Sequence, residues 1–485
     1  MVIRLVAGAM CAALWLAIAV PIAAQAPLGN LTGTVRDVSD SVLPGATITL
    51  NSAATGAKQT TVSNEAGAFT FPQLPIGTYQ VTVSLAGFRT QTYNDIAVNI
   101  GQDYALPVQL AVGGITETVQ VAASERLVNT TSPEVTTTVL QKQILDIPLT
   151  GRDITNLIKL QAGVAGISNR AATVINGARP TWTQVTLDGI NIQDNFIRTN
   201  ALDFLPNRPT SDNVAEFAIT TSVAGADTAG GASFVRMVTP SGTNQLRGSV
   251  FEFNRDAKFS ANSFFNNASD VEKPELKRNQ FGGRVGAPLV RDKLFIFAHY
   301  EAYRQETQAE QNVTIPANAD FAYGVFRYVA LDGIVRSVNV MQLSGLGIDP
   351  RVRSDFLSKL PAASNVNNFD RGNSSAARLL NTAGYRFNQS DATTRDQLSL
   401  RLDYAMSGNN QFEGIYSYYT DRDDRTDIDV ISPGKPLVFT RGPRTRFVGA
   451  WRSTLGSGFQ NEVRGGAPHG RRLQDGVGLR RRRAL

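Results

Sequence analysis

The sequence predicts a mainly β protein: an N-terminal β-sandwich, an α+β middle domain, then the first strands of an outer-membrane-type antiparallel β-barrel. Three observations predict it. Short β-prone runs recur roughly every 8–12 residues over 28–112, with turn residues between them. Strands with one apolar and one charged face recur after residue 290. Beyond the first 26 residues no run is apolar enough for a helical membrane span, so a membrane seat has to be a closed sheet.

Composition excludes several classes. Of 485 residues, 18% are charged and 42 are glycine, which rules out a coiled coil or a charged disordered chain. The net charge of +6 belongs to residues 464–485, which hold seven arginines and one aspartate. Without them the chain balances at 40 basic and 40 acidic residues, so no basic nucleic-acid-binding face is expected. One cysteine (Cys11) and two histidines (His299, His469) allow no disulfide within the chain and no Cys/His zinc site. No cofactor, no metal and no enzymatic activity are expected.

The N-terminus reads as an export signal. Arg4 is followed by no charged residue until Arg36, Leu5–Val20 is almost wholly apolar, and Pro21 leads into small residues. Cleavage after Ala24 or Ala26 would remove Cys11. Residues 1–26 are therefore assigned as signal peptide.

Residues 28–112 form the expected sandwich. Strands are placed at Thr34–Val38, Ala46–Asn51, Gln59–Val62, Ala68–Phe71, Thr78–Leu85 and Ile96–Ile100. Tyr79, Val81, Val83 and Leu85 alternate with polar Gln80, Thr82 and Ser84. The ordered motifs Gly33–Asp37, Leu43–Leu50, Thr61–Phe71 and Leu74–Phe88 resemble the carboxypeptidase regulatory-like domain. The resemblance implies a transthyretin-like, carbohydrate-binding-like fold without peptidase activity. Tyr79, Tyr93 and Tyr104 are candidate sugar-stacking rings, with a core role favoured for each.

Ile115–Ala123 runs as an acid, a threonine and alternating aliphatics, and resembles the TonB box of outer-membrane receptors. Thr116, Glu117, Thr118, Val119, Gln120, Val121 and Ala122 would add as an edge strand to a TonB-type periplasmic energy-coupling protein. A plain strand or linker is the other reading.

Residues 125–240 are read as a plug. Ile147–Asp153 opens a short helix that Asp153 is expected to cap, with Ile154, Leu157, Ile158 and Leu160 on its apolar side. With Ile175–Arg179, Val185–Asn191, Val214–Phe217 and Phe234–Asn244, the set resembles the plug of TonB-dependent receptors, in particular the Oar-like group. That family pattern usually carries a longer Gly-rich turn and a lysine near Pro240. By resemblance Arg152, Arg179, Asp188 and Glu216 would tether the plug to the barrel wall; local capping is the alternative for each.

From residue 245 to 463 the chain reads as a partial barrel. Leu398, Leu400, Leu402, Tyr404 and Met406 alternate with Gln397, Ser399, Arg401 and Asp403, and Leu294–Tyr303, Gln411–Thr420 and Arg446–Leu455 are further strands. Asn279–Phe295 resembles the opening barrel hairpins of the Oar-like group. Residues 305–396 are expected as a long extracellular loop with a helix at Pro350–Leu360. The remainder has room for roughly eight to ten strands, where a plugged receptor has about 22. The expectation is therefore the N-terminal part of a receptor. Residues 464–485 are read as an aberrant Arg-rich tail from a shifted reading frame; a genuine basic tail is the alternative.

The resemblance implies an outer-membrane receptor of a Gram-negative bacterium. It would contact outer-membrane lipid, bind an extracellular ligand (carbohydrate, peptide or siderophore) and import it when energy coupling displaces the plug. The alternatives are a secreted or surface sandwich module that binds glycan or protein, and a non-functional fragment.

Overall fold

The computed structural model describes residues 28–113, 118–122, 134–165, 173–193, 205, 208–222, 231–262, 264, 273–428, 436, 438–455, 459–470 and 473–476. The expected signal peptide, and Thr116 and Glu117 of the expected coupling segment, lie outside them.

The first seven strands are β1 (Gly29–Asp37), β2 (Thr47–Ser52), β3 (Lys58–Val62), β4 (Ala68–Leu74), β5 (Gly77–Ser84), β6 (Thr90–Val98) and β7 (Asp103–Leu110). They form two sheets, β4-β1-β7 and β3-β2-β5-β6, and the second is extended by β8 (Thr118–Ala122). Inward residues of both sheets close one core, including Leu31, Val35, Ile48, Leu50, Phe69, Phe71, Val81, Val83 and Ile96. β7 is absent from the sequence expectation because Pro107 interrupts its alternation. Pro107 is exposed on an edge strand, where its missing N–H leaves no ladder bond unmade, while Leu106, Val108 and Leu110 are buried.

The plug is built on a five-stranded sheet. Its members are β9 (Val135–Leu140), β12 (Thr183–Leu187), β13 (Ile190–Asn191), β14 (Glu216–Ser222) and β15 (Ser233–Val238), in the order β13-β12-β15-β14-β9. A separate two-stranded pair joins β10 (Val164–Ala165) to β11 (Val174–Ile175). The expected helix is short, Thr155–Ile158, and Asp153 Oδ1 accepts from Thr155 N at 3.0 Å and Thr155 Oγ1 at 2.7 Å. Ile154, Leu157 and Ile158 enter the plug core, but Leu160 is exposed, because the helix ends before its turn could carry that side chain inward.

The third unit is one antiparallel sheet. It runs through β16 (Arg247–Asp256), β17 (Leu276–Val290), β18 (Leu294–Pro316), β21 (Thr382–Ser407), β22 (Asn410–Asp424), β23 (Val438–Leu455) and β24 (Phe459–Gly470), and β25 (Leu473–Gly476) also pairs with β23. β17, β18, β21, β22 and β23, of 15 to 26 residues, exceed the ~9–11 residues that cross a bilayer and carry on beyond it. The alternation is two-faced. Leu400, Leu402, Tyr404, Phe412, Tyr416, Phe447 and Trp451 are exposed on the outer side. Phe297, His299, Glu301, Ser399, Arg401, Glu413, Ser417 and Arg446 are buried on the inner side. Tyr404, Phe412 and Trp451 lie in cross-strand register, with the Phe412 and Trp451 rings stacked at 6.2 Å.

Two expected boundaries move. β18 runs to Pro316 and β21 begins at Thr382, so the insert expected over 305–396 spans 317–381. It holds the hairpin of β19 (Val325–Val329) and β20 (Val335–Asn339), and its helix covers Pro350–Asp355, followed by a 3-10 turn, rather than reaching Leu360. Polar residues on the outer reaches of β18 and β21, such as the buried Gln389, concealed these strands, because the apolar alternation is broken there even though one face is buried. The sheet crosses the expected tail boundary at 464: β24 pairs with β23 from Phe459 to Gly470, with Arg464 opposite Ala450.

The outer face generates one expectation. Leu402→Arg should lower the stability of the vesicle-folded protein by about 2–4 kcal/mol in a guanidinium titration. Leu402→Phe should stay within about 1.5 kcal/mol of the parent.

Candidate plug–barrel interface and coupling strand

Asp188 sits in the turn between β12 and β13 in the left-handed region, φ 53°, followed by Gly189 at φ 80°. Its carboxylate accepts from Thr239 N at 2.7 Å, Thr239 Oγ1 at 2.8 Å and Arg446 Nη2 at 2.8 Å. Arg446 on β23 also donates to Leu187 O at 2.9 Å, and both charged side chains are fully buried. The Asp188 carbonyl accepts from Arg464 Nη1 at 3.0 Å. Beside this pair, Ile190 of the plug packs on Ile415 and Val448 of the wall.

A wider ionic cluster continues from Arg464. Glu413 on β22 receives Arg464 at 2.6 Å, Arg401 at 3.0 Å and Arg452 at 3.0 Å. Glu462 receives Arg452 at 2.6 Å and Arg464 at 2.8 Å, and Arg401 pairs with Asp403 at 2.8 Å. Arg401 Nη1 donates to Thr239 O at 2.6 Å, which joins this cluster to the plug. Three arginines around one buried carboxylate, each with a second acceptor, meet the requirement that buried charge be paired.

Arg152 meets the wall on the other side of the plug. It follows Gly151 in the left-handed region and pairs with Asp212 of the plug, while Glu301 of the wall lies 4.0 Å from its Nε. Its guanidinium also lies over the rings of Phe251 and Phe253, at 4.2 and 4.8 Å. Arg284 on β17 reaches Asp212 at 3.1 Å, and Gln280 bridges Gly151 O and Glu301.

The remaining two candidates differ. Glu216 faces the sandwich, where its Oε2 accepts from Ile100 N at 3.0 Å. Burial raises its carboxyl from 4.5 to about 7, the Ile100 N–H opposing. Ile100, Ala218 and Val238 form a small apolar cluster at this junction. Arg179 is exposed and meets no wall residue among the described residues; its carbonyl accepts from Trp182 N in a local turn. Sequence alone missed the wall partners Arg446, Glu413, Arg464, Arg284 and Glu301. The signal available for them was a charge on the inward face of an otherwise alternating strand.

On the insert side of the plug, a recess lies between Asp153, Arg208 and Thr210 of the plug and Tyr303, Arg395, Gln397 and Tyr419 of the wall. Arg395 stands over the Tyr303 ring at 5.0 Å and Arg444 over Tyr419 at 5.3 Å. At the opposite end the sandwich meets the short barrel turns: Asn244 N donates to Ala54 O at 3.0 Å, and Gly56 approaches Asp292. Of the sandwich tyrosines, Tyr79 and Tyr93 are buried and hydrogen-bonded to Pro75 O and Gln91, and Tyr104 packs against the core. Thr118–Ala122 form β8, paired in parallel with β6.

Asp188→Asn should lower stability by about 3–5 kcal/mol in a urea titration, because it leaves Arg446 charged and buried; adding Arg446→Met should recover at least half of that loss. Glu216 stabilises the fold below pH 4.5, and its contribution is lost as pH rises through about 7, since burial favours the protonated form. Glu216→Gln should flatten that part of the melting-temperature profile between pH 5 and 8.

A carboxypeptidase regulatory-like domain model matches residues 30–111, and an outer membrane beta barrel domain model matches 238–478. The second match runs past residue 464, as far as 478. The TonB-dependent transporter Oar of Myxococcus xanthus is 24% identical over 303 residues, 57% of this chain and 27% of that protein. The chain thus spans about a quarter of the length of the curated relative it matches. Among solved structures, the ferric enterobactin receptor of Pseudomonas aeruginosa aligns at 12% identity and a TM-score of 0.39, over 66% of this chain and 39% of that one. The outer membrane transporter YddB of Escherichia coli gives 12% and 0.39, over 66% and 37%. A regulatory-like sandwich and, after it, an outer membrane beta barrel domain whose sheet has a lipid-facing side mark the chain as a Gram-negative outer-membrane protein that is similar over part of its length to the TonB-dependent transporter Oar.

Proposed function

We propose that the protein binds an extracellular ligand above its plug and admits it when a TonB-type periplasmic protein pulls the plug from its seat. The observation that carries this reading is the character of the seat. Among the described residues the plug meets the wall through ion pairs and hydrogen bonds at Asp188, Thr239 and Arg152, with a small apolar contact at Ile190. A polar interface can be rehydrated when the plug shifts, whereas an apolar one would have to be exposed at ~25 cal/mol per Å².

The recess between plug and wall supplies the binding face. The Arg395 guanidinium over the Tyr303 ring suits a ligand with planar or anionic groups, while Tyr419 is buried beneath Arg444. Siderophore, carbohydrate and peptide remain the candidate classes. No chemistry on the ligand is part of this reading.

Energy coupling is assigned to residues 116–122. An extended segment of alternating aliphatics can pair with an outside strand through its backbone, and it lies directly ahead of plug strand β9. The test is capture on a purified TonB C-terminal domain. Val119→Pro and Val121→Pro should each reduce capture at least tenfold while the far-UV circular dichroism of the sandwich stays that of a folded domain, because proline removes a ladder donor. Undiminished capture by both variants would sink the coupling assignment.

A further inference from the structure

The segment read as the coupling strand is already paired. β8 lies parallel to β6, with Thr90 opposite Thr118, Gln91 opposite Val119, Thr92 opposite Gln120, Tyr93 opposite Val121 and Asn94 opposite Ala122. Without β8, β6 would be the edge of its sheet. Its other side is fixed to β5, and Ile96 and Val98 are buried in the sandwich core, so β6 cannot follow β8 if β8 leaves.

The approach to β8 is pinned as well. Arg89 N donates to Ala111 O at 2.9 Å, Gly113 N donates to Gly87 O at 3.2 Å, and Phe88 and Val112 form an antiparallel bridge. A Cβ on Gly113 would stand 2.4 Å from Arg89 Cγ, so a larger residue here would push the exposed Arg89 side chain aside. The sandwich in turn is held against the plug by Ile100 and Glu216, and against the barrel turns by Ala54 and Asn244. Tension applied to β8 in place would load a domain braced against the barrel, and the plug would feel little of it.

We propose that the β6 edge of the regulatory-like domain is a holding site for the coupling strand, and that the TonB-type partner must take β8 from it before plug and partner are mechanically joined. The proposal rests on the reading of residues 116–122 as the coupling segment. Five residue pairs in a parallel ladder make a short latch of the less stable kind, which suits reversible release. Its occupancy lowers the partner's apparent affinity by the fraction of molecules in which the strand is free.

The test uses the full chain carrying Gln91→Cys and Val119→Cys, register partners in the ladder, with a purified TonB C-terminal domain as the probe. Cys11 falls in the expected signal peptide, so the mature background holds no other thiol. The oxidised form, with its cross-link verified by mass, should bind at least tenfold more weakly than the same protein after reduction. In the parent, probe binding should raise amide exchange at residues 90–94 as β6 loses its partner. Equal binding by oxidised and reduced protein, with exchange at 90–94 unchanged, would mean that the partner adds to the outer edge of β8 in place, and would overturn the holding site alone. If reduced Gln91→Cys/Val119→Cys fails to bind while the parent binds, Thr92→Cys/Gln120→Cys decides by the same criterion. A parent chain that binds no probe overturns the coupling reading and the holding site together.

Discussion

The fully buried pair of Asp188 and Arg446 joins the plug to the barrel sheet. A left-handed residue lets one short turn present both a carboxylate and a main-chain carbonyl to the wall, to Arg446 and Arg464 respectively. Such a pair adds little net stability, because desolvation of both charges offsets most of their attraction. What it supplies is position. With either partner displaced, the other is left charged in a dry site, so intermediate placements of the plug are disfavoured.

The same logic explains the crowd of arginines around Glu413. One carboxylate cannot satisfy three guanidiniums, so Asp403, Glu462 and the Thr239 carbonyl take up the remaining donors. The arrangement spreads over the plug and strands β21 to β24, and it ties the height of the plug to the register of the sheet. Arg152 repeats the device on the opposite side, with aromatic faces supplying part of the counter-surface.

Where local pattern decides structure, the sequence was readable. Period-two alternation located the lipid face of β21, and Asp153 was identified as the hydrogen-bonding residue ahead of the plug helix. Asp188 was legible as a tether only through family resemblance, and its partner Arg446 was not legible at all, since 258 residues separate them. Pro107 hid β7, and the polar upper reaches of β18 and β21 hid their length. Arg464 was grouped with the basic residues after it, although it faces inward and pairs with two carboxylates. Composition averages over such a residue; only the ladder to β23 shows which way it faces.

The row of Tyr404, Phe412 and Trp451 has a bearing on where the other domains stand. Aromatic rings on the outer face of a barrel settle at the boundary between hydrocarbon and headgroups. Three rings in register across neighbouring strands therefore draw a waterline around the sheet. The short turn at Gly408 and Asn409 lies only a few residues below it, ~10–15 Å at strand rise. The sandwich contacts turns on that same side, so the row of rings and the sandwich stand only a few residues of strand apart.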